Sequence, residues 1–197
     1  MVIAVSAAWW GSLLGVSLAL ALVAGVLIVG IARGRITMEL GWGRSGVALR
    51  DRRVRIAAPP EVVLDLLRRA ARGYVPGITK RERTEVIEAE GDLIVNESLN
   101  DSRFGMVRAR EAVRFHPDGR VTYRHLAGPL PGTEEAFEVR PADGGTALTY
   151  RGRIPVDFWG LGRLVARLLI LPEYERLLDR HLEALAKSAE VRARRRG

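Results

Sequence analysis

The sequence predicts an α+β protein in which one membrane-spanning helix precedes a single domain, a seven-stranded curved antiparallel sheet wrapped around a long C-terminal helix. Three observations predict it. No charged residue occurs from Met1 to Ala32, apolar residues recur with a period of two between about Arg83 and Val156, and the helical period returns after Val156. A chain of 197 residues holds one ordinary domain and an attachment, because single domains run to roughly 100–200 residues.

The run from Leu13 to Ile31 is Leu, Val, Ala and Ile relieved only by Gly and Ser. A hydrocarbon core about 30 Å thick is crossed by about 20 such residues in a helix. Trp9 and Trp10 near one end suit a headgroup belt, and Arg33 and Arg35 close the other. A cleaved signal peptide expects a basic start and an apolar core of roughly 7–15 residues. Neither is present, although Gly30-Ile31-Ala32 is a weak small-residue cleavage site. Arg33, Arg35, Arg44, Arg50, Arg52 and Arg53 follow the helix and no Lys or Arg precedes it, so the positive-inside rule places the following domain in the cytoplasm. The expected division is a transmembrane helix at 1–34, a juxtamembrane connector at 35–46, the folded domain at 47–191 and a solvated basic tail at 192–197.

The connector ends in Gly41-Trp42-Gly43-Arg44-Ser45-Gly46, which spells a dinucleotide fingerprint. Its context is wrong, because that motif needs a strand before it and a helix after it. No cofactor is expected.

Val47 to Ile56 alternates apolar and charged residues and reads as a first strand. Pro59-Pro60-Glu61 opens a helix, with Val63, Leu66, Leu67 and Ala70 on one stripe and Gly73 and Pro76-Gly77 as the stop. Six strands follow at Arg83 to Ala89, Asp92 to Leu99, Phe104 to Phe115, Val121 to Leu126, Thr133 to Val139 and Thr146 to Pro155. Short Gly-, Asp- and Asn-containing turns join them, which implies a meander. Leu164, Leu168 and Leu171, then Leu178, Leu182 and Leu185, form the stripe of the last helix, with a kink or a break expected at Pro172.

The formal charge of +8 is carried by arginine, lysine occurring only at Lys80 and Lys187. Compositional bias or an anionic membrane surface accounts for it better than nucleic acid, for which no recognition motif is present. With no cysteine, thiolate chemistry and disulfides are excluded. His116, His125 and His181 have no paired ligand spacing, so no metal is expected.

Val54-Arg55-Ile56-Ala57-Ala58-Pro59-Pro60-Glu61-Val62-Val63 resembles the opening strand and A-P-x-x-V helix start of the START-like, polyketide cyclase/dehydrase (SRPBCC) superfamily. Glu85-Val86-Ile87-Glu88, the stretch from Gly144 to Tyr150 and the closing amphipathic helix resemble its later landmarks. The order over roughly Val47 to Val191 is that of the helix-grip fold. The resemblance implies a cavity between sheet and final helix for an apolar small molecule or lipid. It does not imply one reaction, since carriers, ligand-binding regulators and enzymes all occur in the superfamily. The aromatic position that often follows the first helix there is absent here.

Strand parity nominates inward-facing residues. On Phe104 to Phe115 these are Val107, Ala109, Glu111, Val113 and Phe115; on the preceding strand they are Leu93, Val95, Glu97 and Leu99. Tyr123 and His125 follow in line with Val121, and the expected ligand-binding set is Val95, Glu97, Val107, Ala109, Glu111, Tyr123, His125, Tyr150, Leu164 and Leu168. His181 and Tyr174 on the final helix are further polar candidates. Glu97, Glu111 or His125 would serve as acid or base if the domain were an enzyme, whereas an outward register or an ion pair with a nearby arginine would make the carboxylates structural. Phe158-Trp159-Gly160-Leu161-Gly162 is expected to pack on the sheet, with insertion into the bilayer as the alternative. The first functional expectation is a membrane-anchored binder of a hydrophobic molecule, the second a cyclase-like enzyme on an apolar cyclic substrate, and the third a structural or regulatory partner of a membrane protein. Nothing in the sequence fixes the oligomeric state.

Overall fold

The uncharged N-terminal run forms helix α1 (Ala7–Ala32) in the computed structural model, which describes residues 7–74, 82–103 and 105–195. Its span Leu13–Ala32 has a mean hydropathy of 2.7, none of it is buried, and it is long and apolar enough to cross a membrane. Pro76-Gly77, Phe104 and Arg196, which carried expectations about a turn, a strand start and the tail, lie outside the described residues.

The single strand expected over Val47 to Ile56 is two, β1 (Ser45–Ala48) and β2 (Arg52–Ile56), both antiparallel to the last strand. The break has a physical reason. Arg52 turns inward, 7% exposed, donating from Nε and Nη2 to Asp179 at 2.7 and 3.2 Å and from Nη1 to the Arg50 carbonyl at 2.6 Å, which bends the chain between the two pairings. Arg52→Ala is expected to cost about 1.5–3 kcal/mol, the range for hydrogen bonds to charged groups, measured by denaturant unfolding.

Helix α2 (Pro60–Ala71) starts on a proline whose missing N–H is no loss in a first turn, with Glu61 at its positive end and Arg68 and Arg69 at its negative end. It buries Val62, Val63, Leu66, Leu67 and Ala71. The meander then runs β3 (Arg83–Glu90), β4 (Leu93–Ser102), β5 (Gly105–Phe115), β6 (Arg120–Ala127), β7 (Glu134–Ala142) and β8 (Gly145–Val156). The sheet order is β1-β8-β7-β6-β5-β4-β3, with β2 also on β8. Gly119 closes the β5–β6 turn at φ 81, where a Cβ would stand 2.8 Å from the Val139 carbonyl oxygen.

Past the sheet, helix α3 (Trp159–Val165) passes through one π-helical turn (Ala166–Ile170) into helix α4 (Leu171–Arg194). The interruption foreseen at Pro172 takes this form, a π-turn ahead of a proline in the first turn of α4. Leu178, Leu182, Leu185 and Ala189 of α4 meet Val63 and Leu66 of α2 and Leu148, Tyr150 and Ile154 of β8 in one core. The curved sheet and α4 therefore make the helix-grip fold. Arg192, taken from the sequence as part of a solvated tail, instead pairs with Asp65 of α2 at 2.9 Å.

Candidate functional site

Between the concave sheet and α4 lies a cavity of about 210 Å³. Leu67, Ala70 and Phe137 and the α4 residues Leu178, Leu182 and Leu185 supply its apolar wall. Its polar groups come from neighbouring strands in register. Glu111 of β5 stands opposite His125 of β6, Tyr123 of β6 opposite Glu135 of β7, and Phe137 of β7 opposite Tyr150 of β8. Beyond His125 the β5–β6 register slips, so that Ala127 pairs with Arg110 and Leu126 is the extra residue of a bulge. Bulges re-aim side chains, and this one sits beside the most polar part of the cavity.

At its floor His125 Nε2 donates to Glu135 Oε2 at 3.2 Å, with Glu111 Oε1 3.7 Å away and Tyr174 Oη of α4 at 3.3 Å. Tyr150 Oη donates to the other Glu135 oxygen at 2.5 Å. Ser98 Oγ lies 3.4 Å from Glu111 Oε1. The side chains of His125, Glu135 and Glu111 are only 8%, 9% and 15% exposed, so these charges interact with little screening.

Burial raises the Glu111 carboxyl above the ordinary carboxylate range, the nearby imidazolium only partly offsetting it. Burial acts most strongly on His125 too, against its charge, but the Glu111 carboxylate and the Glu135 hydrogen bond outweigh it and hold the imidazole above its usual 6.5. Glu135 also feels burial most, yet its bonds to His125 and Tyr150 hold it below 4.5. Burial first, and then the carboxylates, push Tyr123, Tyr150 and Tyr174 far up, so all three stay neutral.

The linkage signs follow. The raised histidine contributes stability that is complete below 6.5 and lost as pH rises through its native value. The lowered Glu135 contributes stability that is complete above 4.5 and lost as pH falls through its native value. Glu111→Gln removes the largest favourable charge on His125 and is expected to move the His125 titration down in pH, read from its ring protons by NMR. An unmoved titration would show that the two groups do not share a field.

The structure brings Glu111, Tyr123 and His125 together on the cavity wall, with Tyr150 fully buried behind Glu135. Ala109 is buried and Val107 partly buried on the same face of β5. On β4 the parity differs from expectation: Ile94, Asn96 and Ser98 point inward, while Val95 and Glu97 lie on the other face. Glu97 pairs there with Arg108 at 3.4 Å and Arg110 at 3.6 Å. The cause is that β4 carries apolar residues on both faces, so alternation alone does not choose, and the inward polar groups are satisfied locally. Asn96 Nδ2 donates to the Ala71 carbonyl at 2.9 Å and Ser98 Oγ to that of Ala109 at 3.4 Å. Leu164 and Leu168 are 54% and 64% exposed and lie outside the wall of this cavity.

Sequence reasoning passed over Glu135, although its signal is visible: it shares the parity of Phe137 and Val139, both buried. It also passed over Asn96, whose Oδ1 is buried without a hydrogen-bond partner among the described residues. Glu82, Arg180 and His181 flank another part of the cavity, with Arg180 bonded to Glu82 and His181 Nε2 3.8 Å from it.

A family model described as "Polyketide cyclase / dehydrase and lipid transport" matches residues 50–190. Among solved structures, the fold is similar to the di-domain ARO/CYC BexL from the BE-7585A biosynthetic pathway, with TM-score 0.58 and 17% identity over 75% of this chain and 50% of that one. The chain thus spans half the length of that relative. It is also similar to the Zhui aromatase/cyclase from Streptomyces sp. R1128, with TM-score 0.56 and 20% identity over 78% of this chain and 95% of that one. A Thermus thermophilus protein follows at TM-score 0.53 and 22% identity over 76% of this chain and 97% of the other. No curated protein sequence matches.

Proposed function

From the premise that the chain belongs to the polyketide cyclase/dehydrase and lipid transport family, we propose that it is a membrane-anchored binder of one small apolar molecule bearing a hydroxyl or carbonyl group. The observation that carries this reading is an apolar cavity with a compact polar floor of His125, Glu135, Glu111 and Tyr174. Its size narrows the ligand. At about 210 Å³ it exceeds the 150 Å³ or so that holds benzene, and it falls below the roughly 300–1,000 Å³ of drug-sized sites. One or two rings or a short isoprenoid fit as the walls stand; a two-chain lipid requires α4 to move. The domain faces the cytoplasm, as the arginines after α1 favour.

The test is an NMR titration of the full chain in nanodiscs with 2-naphthol, two fused rings and one hydroxyl. Saturable shifts at His125 and Asn96 are expected. Shifts absent there in a folded chain would defeat the reading.

A second reading is favoured by one specific observation, a carboxyl of raised pKa beside a histidine–carboxylate pair. That pairing is what general acid–base catalysis on an apolar cyclic substrate needs. His125, held as the imidazolium and oriented by Glu135, would supply the proton and the Glu111 carboxylate, more basic for its burial, would accept one. The family description covers cyclases and dehydrases as well as lipid transport, so turnover with loss in Glu111→Gln and His125→Asn is what separates enzyme from binder.

A further inference from the structure

The segment after β8 rests against β1 and β8, yet from Trp159 to Ile170 it buries only Ala166. α3 has no buried residue, and Trp159, Leu161, Leu164 and Leu168 are each more than half exposed. Phe158 and Trp159 hold φ of 61 and 43°, a region that bulky residues rarely adopt. Such strain persists only where the surroundings fix it. Here the fixing partner is the connector that follows α1.

Trp42 O and Gly43 O accept from the Phe158 and Trp159 amides at 2.9 and 3.0 Å, and Asp157 Oδ2 accepts from the Leu40 and Gly41 amides at 3.1 and 3.2 Å. The Trp42 ring stands edge-on to Phe158 at 5.9 Å and Trp159 at 5.6 Å. Nearer α1, Arg33 O accepts from the Arg108 amide at 3.0 Å and Thr37 Oγ1 from the Gly128 amide at 2.9 Å. The connector is therefore bonded to the domain at both ends, and it holds an apolar, aromatic patch beside the end of a membrane-length helix. Arg163 and Arg167 are exposed within the patch, and neither has an ion pair among the described residues.

We propose that α3 and the π-turn, with Trp42, form a second membrane contact that seats in the leaflet entered by α1 and prefers anionic headgroups. Apolar side chains enter the acyl boundary while the arginines reach the phosphates. The domain is then held in one orientation rather than swinging on a tether. This inference rests on the membrane anchoring proposed above.

The chain has no cysteine, so a single introduced thiol gives one label. Leu164→Cys, Leu168→Cys and, at the far end of the β5–β6 hairpin, Asp118→Cys are spin-labelled in the full chain. They are reconstituted in phosphatidylcholine vesicles with and without phosphatidylglycerol, and label depth is read by power saturation with oxygen and a nickel chelate. The labels at 164 and 168 are expected roughly 5–10 Å below the phosphates, the depth of interfacial helices, deeper with phosphatidylglycerol, while that at 118 stays aqueous. Vesicles that float with the chain but leave 164 and 168 aqueous overturn the docking alone. A chain that fails to float overturns the anchor and the docking together. Labels shielded from both reagents, with spin–spin broadening removed by unlabelled chain, would make the patch a face between copies and also overturn it.

Discussion

Replacing Glu135 with alanine is expected to cost about 3–5 kcal/mol, the range for removing one partner of a buried charge pair. The reason is what remains. His125 stays inside without the acceptor at 3.2 Å, and the Tyr150 hydroxyl, on a fully buried side chain, loses its acceptor as well. The raised imidazole value falls too, so the loss is larger at pH 6, where the native chain holds a proton there, than at pH 8. Urea unfolding at both values checks this. Glu135→Gln keeps an acceptor for Tyr150 and is expected to lie between alanine and the native chain. A drop under 1 kcal/mol for the alanine variant would mean that water replaces the carboxylate and that the polar floor is not built around it.

Ala184→Trp is expected to abolish ligand uptake while leaving the fold. Ala184 is a cavity-wall position on α4, where an indole would enter space that no side chain now fills. Overpacking a filled core costs about 1–3 kcal/mol, and the penalty is expected at the low end here because the indole meets a cavity of about 210 Å³. The shifts that 2-naphthol produces at His125 in the native chain should vanish. Retained shifts with a native-like spectrum would place the binding site elsewhere.

The sequence made the fold legible because the fold is written in periods. The change from helix period to period two after residue 83, and back after Val156, marks the meander and the gripping helix, and the uncharged run marks α1. The site was legible only where one face of a strand is unambiguous. Val113 and Phe115 set the parity of β5, which placed Glu111 inward, and Val121 did the same for Tyr123 and His125. β4 offers Leu93 and Val95 on one face and Ile94 on the other, so its parity was decided by tertiary contacts, Asn96 reaching back to α2 and Glu97 reaching two arginines. The outward stripe of Leu164 and Leu168 failed for a different reason. Helical spacing says that residues share a face, not what that face meets, and the exposed face of Leu164 and Leu168 has the same spacing as a core-facing one.

Native mass spectrometry of the full chain, released gently from the membranes in which it was made, tests most directly whether the hollow under α4 is a binding site. The account predicts one small apolar molecule per chain, lost in Ala184→Trp and retained in a variant of the exposed patch such as Leu164→Cys. A native chain that carries nothing and takes up nothing offered to it, with His125 and Glu135 intact, would contradict the account.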